Sequence, residues 1–300
     1  MKIGVQLPEV EREVRWPELR RMAELAEGIG LDSIWVGDHL LYRDDGFPPR
    51  GPWEAWSLLA ALAAVTERVE LGPLVASTSF HAPAMLAKKA ATIDEISGGR
   101  LILGLGAGWN RPDYDAFGFP YDHRVSRFEE AFGIIRELLT TGQADARGTY
   151  YTVERSELRP RGPRPDGPPL MVGSIGERML GITLPHVASW NAWFTWFGNT
   201  VDGYRALRDQ VDDACRAVGR DPASVERTVA LFVSFPGAQG RQLGDLTRPD
   251  VEPIPGDLET LVPALTAFAE EGIGHVQLVL DPITEASIAA LEPTVAALRG

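Results

Sequence analysis

Four stretches of this 300-residue chain hold side chains whose types and spacing could do chemistry. Asp38 and His39 adjoin in "SIWVGDH", directly after an apolar run. An imidazole titrates near neutrality, so the pair can pass a proton to and from a reactant; the alternative is a histidine hydrogen-bonded for structure. "RLILGLGAGWN" brings glycines to 104, 106 and 108, then Trp109 and Asn110. A dinucleotide loop would need G-x-G-x-x-G opening a helix. Here the third glycine comes one residue early, and "RPDYDAFGFP" behind it has two prolines and no helical period. The run through Gly106, Ala107 and Gly108 reads instead as a flat bed for a planar ring. "MVGSIGERML" is the phosphate candidate: Gly173, Ser174, Ile175 and Gly176 lead into a helix with open backbone N–H groups and a hydroxyl. A plain turn with a capping serine is the other reading. "SWNAWFTWFGN" packs Trp190, Trp193 and Trp196 densely enough to wall an apolar or aromatic substrate, with core filling as the rival. His81, in "TSFHAPA", is open between a functional and a structural part.

Other chemistries are disfavoured. Lysine occurs only at 2, 88 and 89, never at the end of an apolar run, which excludes a Schiff-base site. No third ligand is spaced to make a metal centre with the two histidines, so none is expected. The one cysteine, Cys215, lies in a helix-like run and reads as a packed thiol.

These residues need elements to hold them. Short apolar runs alternate with helical patterns from "KIGVQL" and "WPELRRMAELAEGIG" to "HVQLVL" and "ITEASIAALEPTVAALR", giving eight strand–helix units. Eight buried strands, each followed by a helix, predict an α/β fold: a (β/α)8 TIM barrel over 1–300 as one domain, with insertions in the rim loops. Long connections at 38–52, 107–123 and 236–256 follow strand ends, where barrels build sites, and a Pro/Arg/Gly-rich insertion covers 143–168. The helix "EAWSLLAALAAVT" is apolar nearly all round, so a second chain should cover its outer face, predicting a homodimer.

A net charge of −13 argues against a nucleic-acid partner. No apolar run approaches the ~20 residues a membrane span requires, and the acidic amino-terminal stretch is unlike a signal peptide. The expectation is a soluble, cytoplasmic protein with no membrane partner.

Taken in order, "GLDSIWVGDH", "WEAWSLLAALAAVTERVELG", "ATIDEISGGRLILGLGAGWN", "RFEEAFGIIRELLTTG" and "LMVGSIGERML" resemble the bacterial luciferase-like family, specifically its coenzyme F420-dependent branch. The resemblance covers essentially the whole chain. It implies a deazaflavin ring across the strands' carboxyl ends, with FMN as the alternative cofactor. Asp38 and His39 would lie beside the ring, His39 as acid/base. Leu74–Val75 falls where the family often has a cis peptide against the ring, and Gly173, Ser174, Ile175 and Gly176 would hold the cofactor phosphate. Trp109 stands where F420-dependent sugar-phosphate dehydrogenases carry an acidic residue, which argues against that substrate. The implied activity is hydride transfer between F420 and an apolar or aromatic small molecule. The rivals are a two-component FMN monooxygenase fed by a separate reductase, and a catalytically idle flavin-binding protein.

Overall fold

The structure, a computed structural model, describes residues 1–240 and 251–300. Eight parallel strands form its centre among the described residues: β1 (Lys2–Gln6), β2 (Ser33–Val36), β3 in two pieces (Glu70–Pro73 and Ala76–Ser77), β4 (Leu103–Gly106), β5 (Leu170–Val172), β6 (Ser189–Ala192), β7 (Glu226–Ser234) and β8 (Ile273–Asp281). Paired neighbours run β3–β2–β1–β8–β7–β6–β5–β4 and return to β3. Its first piece pairs with β2 and its second with β4, while a bridge between Leu71 and Leu101 zips the seam. This is the predicted barrel. Closure leaves these strands no open edge.

The helices are α1 (Trp16–Gly28), α2 (Ala55–Val65), α3 (Pro83–Ser97), α4 (Arg111–Phe117), α5 (Arg124–Thr141), α6 (Glu177–Thr183), α7 (Val201–Ala217), α8 (Leu258–Glu270), α9 (Glu285–Ala289) and α10 (Glu292–Arg299). Apolar spacing sets which face each buries: α1 buries Leu19, Met22, Ala23 and Ala26 against the strands. Among the described residues no helix is long and apolar enough to cross a membrane.

The barrel's inside holds a large ring together with polar side chains, Asn191 donating to Thr228 Oγ1 and Gln277 Oε1. Trp35 on β2 is fully buried and touches residues of β1, β3 and β8, which only an inward side chain can do. A Cβ on Gly4 would stand 2.9 Å from its Nε1, and one on Gly72 only 2.6 Å from its ring, so glycine at 4 and 72 makes the room. Ser33 Oγ accepts from Trp35 Nε1 (2.7 Å) and lies 2.6 Å from His275 Nε2. Burial, with the positive charges of Lys2 and the amino terminus adding to it, pushes the His275 pKa down to about 3.

Three local expectations change. The segment at 111–117, read as lacking helical period, is α4: Pro112 sits in the first turn, where its missing N–H costs no bond, and Gly118 closes the helix at φ 77°. The 143–168 insertion contains an antiparallel hairpin, Gln143–Arg147 with Thr152–Glu157. The final helical run is broken into α9 and α10, with Pro293 opening the second. Of the predicted connection at 236–256, residues 241–250 lie outside the described residues.

Candidate active site

His39 follows β2 on the barrel's carboxyl rim, its side chain 15% exposed. Its Nδ1 lies 2.7 Å from Asp113 Oδ2 on α4. The other oxygen of Asp113 accepts the amide N–H groups of Leu40 (3.0 Å) and Leu41 (2.7 Å), and Asn110 Nδ2 donates to Leu41 O at 2.9 Å. Among the described residues nothing hydrogen-bonds His39 Nε2. Tyr42 and Trp109 flank the imidazole, with ring centroids at 5.0 and 5.3 Å. Tyr42 OH donates to Glu9 Oε1 at 2.8 Å, which places a second buried carboxylate behind the site. Burial alone would lower the His39 pKa. The hydrogen bond that His39 gives to Asp113 and the negative charges of Glu9, Asp113 and Asp38 outweigh it, so the imidazole titrates above its ordinary value. Burial pushes the Asp113 carboxyl up, but His39, the Leu41 amide and Asn110 together hold it below the usual range.

Asp38 is adjacent in sequence yet not the imidazole's partner. Its buried carboxylate accepts the Ser77 N–H at 2.9 Å and lies 3.3 Å from His81 Nε2, so it fastens the second piece of β3. His81 also meets Trp56 Nε1 (3.1 Å) and Lys89 Nζ (3.4 Å), which ties α2 and α3 to β3 and favours the structural reading of this histidine. Asp38 and His39, expected as a pair, thus have different partners: His39 bonds Asp113, and Asp38 the Ser77 amide.

The peptide between Leu74 and Val75 is cis. A Cβ on Gly104 would lie 3.0 Å from the Val75 isopropyl group, on Gly106 2.8 Å and on Gly173 3.2 Å. Gly106 of the expected ring bed, with Gly104 before it and Gly173 of the expected phosphate turn, therefore makes space first for Val75. Gly108 has φ +75°, and a Cβ there would collide with the Tyr114 hydroxyl, which donates to Ala107 O at 2.9 Å. The Gly173–Gly176 turn ends in an exposed stretch, with Ile175 37% exposed and Ser174 Oγ 3.4 Å from the Gly176 N–H.

The tryptophans divide. Trp190 is fully buried and donates Nε1–H to Ser174 O at 2.8 Å: it anchors that turn and does not face the rim. Trp193 packs on Val10 and Tyr42 and against Phe194, with centroids at 4.7 Å, while Trp196 is 36% exposed on the following turn. Asn110, expected beside the substrate, is buried and committed to Leu41. Tyr42, Glu9 and Asp113 escaped the sequence reading. The first two sit close behind strand ends, a signal that would have found them; Asp113 lay in a helix that was not expected.

The luciferase-like monooxygenase family model matches residues 1–236. The chain belongs to this family. It is 36% identical over 230 residues to an F420-dependent glucose-6-phosphate dehydrogenase of Amycolatopsis mediterranei, covering 73% of this chain and 65% of that one. It is 33% identical over 177 residues to the pyrimidine monooxygenase RutA of Enterobacter sp. strain 638, covering 57% and 47%. The chain thus spans about half to two thirds of the length of these curated relatives. A solved F420-dependent secondary alcohol dehydrogenase, in complex with an F420-acetone adduct, superposes with a TM-score of 0.80 at 20% identity, over 100% of this chain and 99% of that one; it supports the luciferase-like barrel fold.

Proposed function

We propose that this luciferase-like protein is an F420-dependent oxidoreductase that transfers a hydride between the deazaflavin and an apolar or aromatic small molecule. The carrying observation is His39: a buried imidazole fixed on one side by a carboxylate, its other nitrogen unbonded among the described residues, between Tyr42 and Trp109. The residues present fit a flat cofactor. Val75, lodged over three glycines, offers a smooth apolar surface, and the exposed turn at 173–176 suits an anionic group. When bound, F420 supplies or accepts the hydride. His39 holds the proton at Nε2 that balances it, giving it to a developing oxygen or nitrogen anion in reduction and taking it back in oxidation. Tyr42 and Trp109 hold the imidazole between their rings. With Trp109 beside the imidazole, where F420-dependent sugar-phosphate dehydrogenases carry an acidic residue, a sugar phosphate is a poor match.

The relative named as a monooxygenase favours a second reading, an FMN-dependent monooxygenase supplied by a separate reductase. Titration of the purified protein with F420 and with FMN decides between them. Tight F420 binding is expected, and tight FMN binding without F420 binding would overturn the proposal. Retention of either without any turnover would point to the idle binding protein. We place the protein, as a single-domain barrel, in the cytoplasm, where its lone thiol would stay reduced. We also infer a homodimer through α2, whose outward positions Leu58, Ala61, Ala64 and Val65 are apolar and only partly covered.

A further inference from the structure

We propose that Asp113 is the positioning residue of this site, a carboxylate that fixes which nitrogen of His39 faces the reactants and ties the His39 segment to the start of α4. The inference rests on the reading of His39 as the acid/base, but its geometry stands apart from any cofactor. Asp113 is fully buried and 74 residues distant in sequence, yet it takes up three donors of residues 39–41: the imidazole Nδ1–H and the amides of Leu40 and Leu41. Asn110, on the residue before α4, holds the remaining carbonyl, that of Leu41. Residues 110–113 are therefore a splint along the segment that carries the imidazole. A carboxylate is acceptor-only when ionised, so its partner nitrogen must carry the proton; a neutral His39 then has its lone pair on Nε2, at the rim. An oriented imidazole needs no search for the productive tautomer.

Among the described residues, the charged and titratable groups facing the ring are Asp113 from α4, Glu9 behind β1, and Asp38 and Tyr42 from its own segment. Only Asp113 among them bonds a ring nitrogen in the described structure. The other carboxylates contribute charge without direction.

The test is histidine nitrogen NMR on the protein with no cofactor added, for wild type, D113N and D113E, with His39→Gln to assign the signal. In wild type the neutral imidazole should carry its proton on Nδ1 and titrate above an ordinary histidine. D113N should titrate lower by about one pH unit or more and lose the single tautomer, whereas D113E should keep the raised titration. Turnover in D113N should fall roughly 10- to 100-fold, with cofactor affinity nearly unchanged and the pH limb displaced in step with the NMR titration. A merely structural Asp113 would lower the melting temperature without moving the His39 titration, and that result overturns the proposal. Should D113N fail to fold, a wild-type His39 with its neutral proton on Nε2 overturns it without any variant. Because the NMR readout uses no cofactor, failure to bind F420 would end the functional reading and leave this one decided on its own terms.

Discussion

At the scale of single residues, the site turns on His39 and on what surrounds it. With its pKa raised, the imidazole stays cationic, and Nε2–H available for reduction, to higher pH than in a free histidine. Turnover in the reductive direction should be steady on the acid side and fall as pH rises through that raised value; the oxidative direction should rise over the same interval. His39→Ala should cost roughly 100-fold or more in kcat and little in cofactor affinity, read by steady-state kinetics beside a binding titration. Gly108 allows a second test. Its left-handed backbone and the Tyr114 hydroxyl both exclude a side chain, so Gly108→Ala should cost about 2 kcal/mol in denaturant melts and displace Trp109 next to it. His39 was legible because an ionisable residue directly after an apolar run is rare and exposed to attention. Asp113 was not, since its meaning depends on a contact 74 residues away that no local pattern records.

At the scale of elements, what matters is how strand ends and short helices hold those residues. Trp190, on β6, is the clearest case: its indole bonds the Ser174 carbonyl across to the turn after β5. Trp190→Phe keeps the packed ring and removes that bond, with a net loss of about 1 kcal/mol and a loosened turn. Affinity for a phosphate-bearing cofactor should weaken several-fold, while kcat at saturating cofactor stays near wild type; a fluorescence titration and a kcat measurement separate the two. An unchanged affinity would remove the turn at 173–176 from the cofactor site. The long strands and amphipathic helices were legible because their apolar residues repeat at one period over many positions. α4 was not: it has seven residues, and its proline lies in the first turn, the one place where proline does not interrupt a helix. The 143–168 hairpin hid for another reason. Its strands are mostly exposed: the first alternates only through the small Ala144 and Ala146, and Val153 is the one aliphatic residue of the second, a weak strand signal.

For the whole molecule, eight repeats of one unit made the closed barrel readable, since eight buried apolar strands, each followed by a helix, fit a closed parallel barrel. Which residues meet inside the barrel was not readable, because His275 lies 242 residues after Ser33 on a different strand. The apolar outer face of α2 bears on assembly: Ala61→Glu should convert a dimer to monomers in sedimentation, and an unshifted mass would remove α2 from any interface. The inner cluster bears on stability. His275 is buried beside Ser33 with its folded pKa near 3, against an ordinary value of 6.5 in the unfolded chain. Between those values the unfolded state binds the proton and the folded state does not. The stability that the neutral imidazole contributes is therefore complete above pH ~6.5 and is lost, at about 1.4 kcal/mol per pH unit, as pH falls toward ~3. Going from pH 7 to 4.5, the wild type should lose about 2–3 kcal/mol more than His275→Gln, which has no proton to gain there. Denaturant melts at the two pH values measure the difference directly, and equal losses in the two proteins would mean that protons reach His275 while the barrel stays closed.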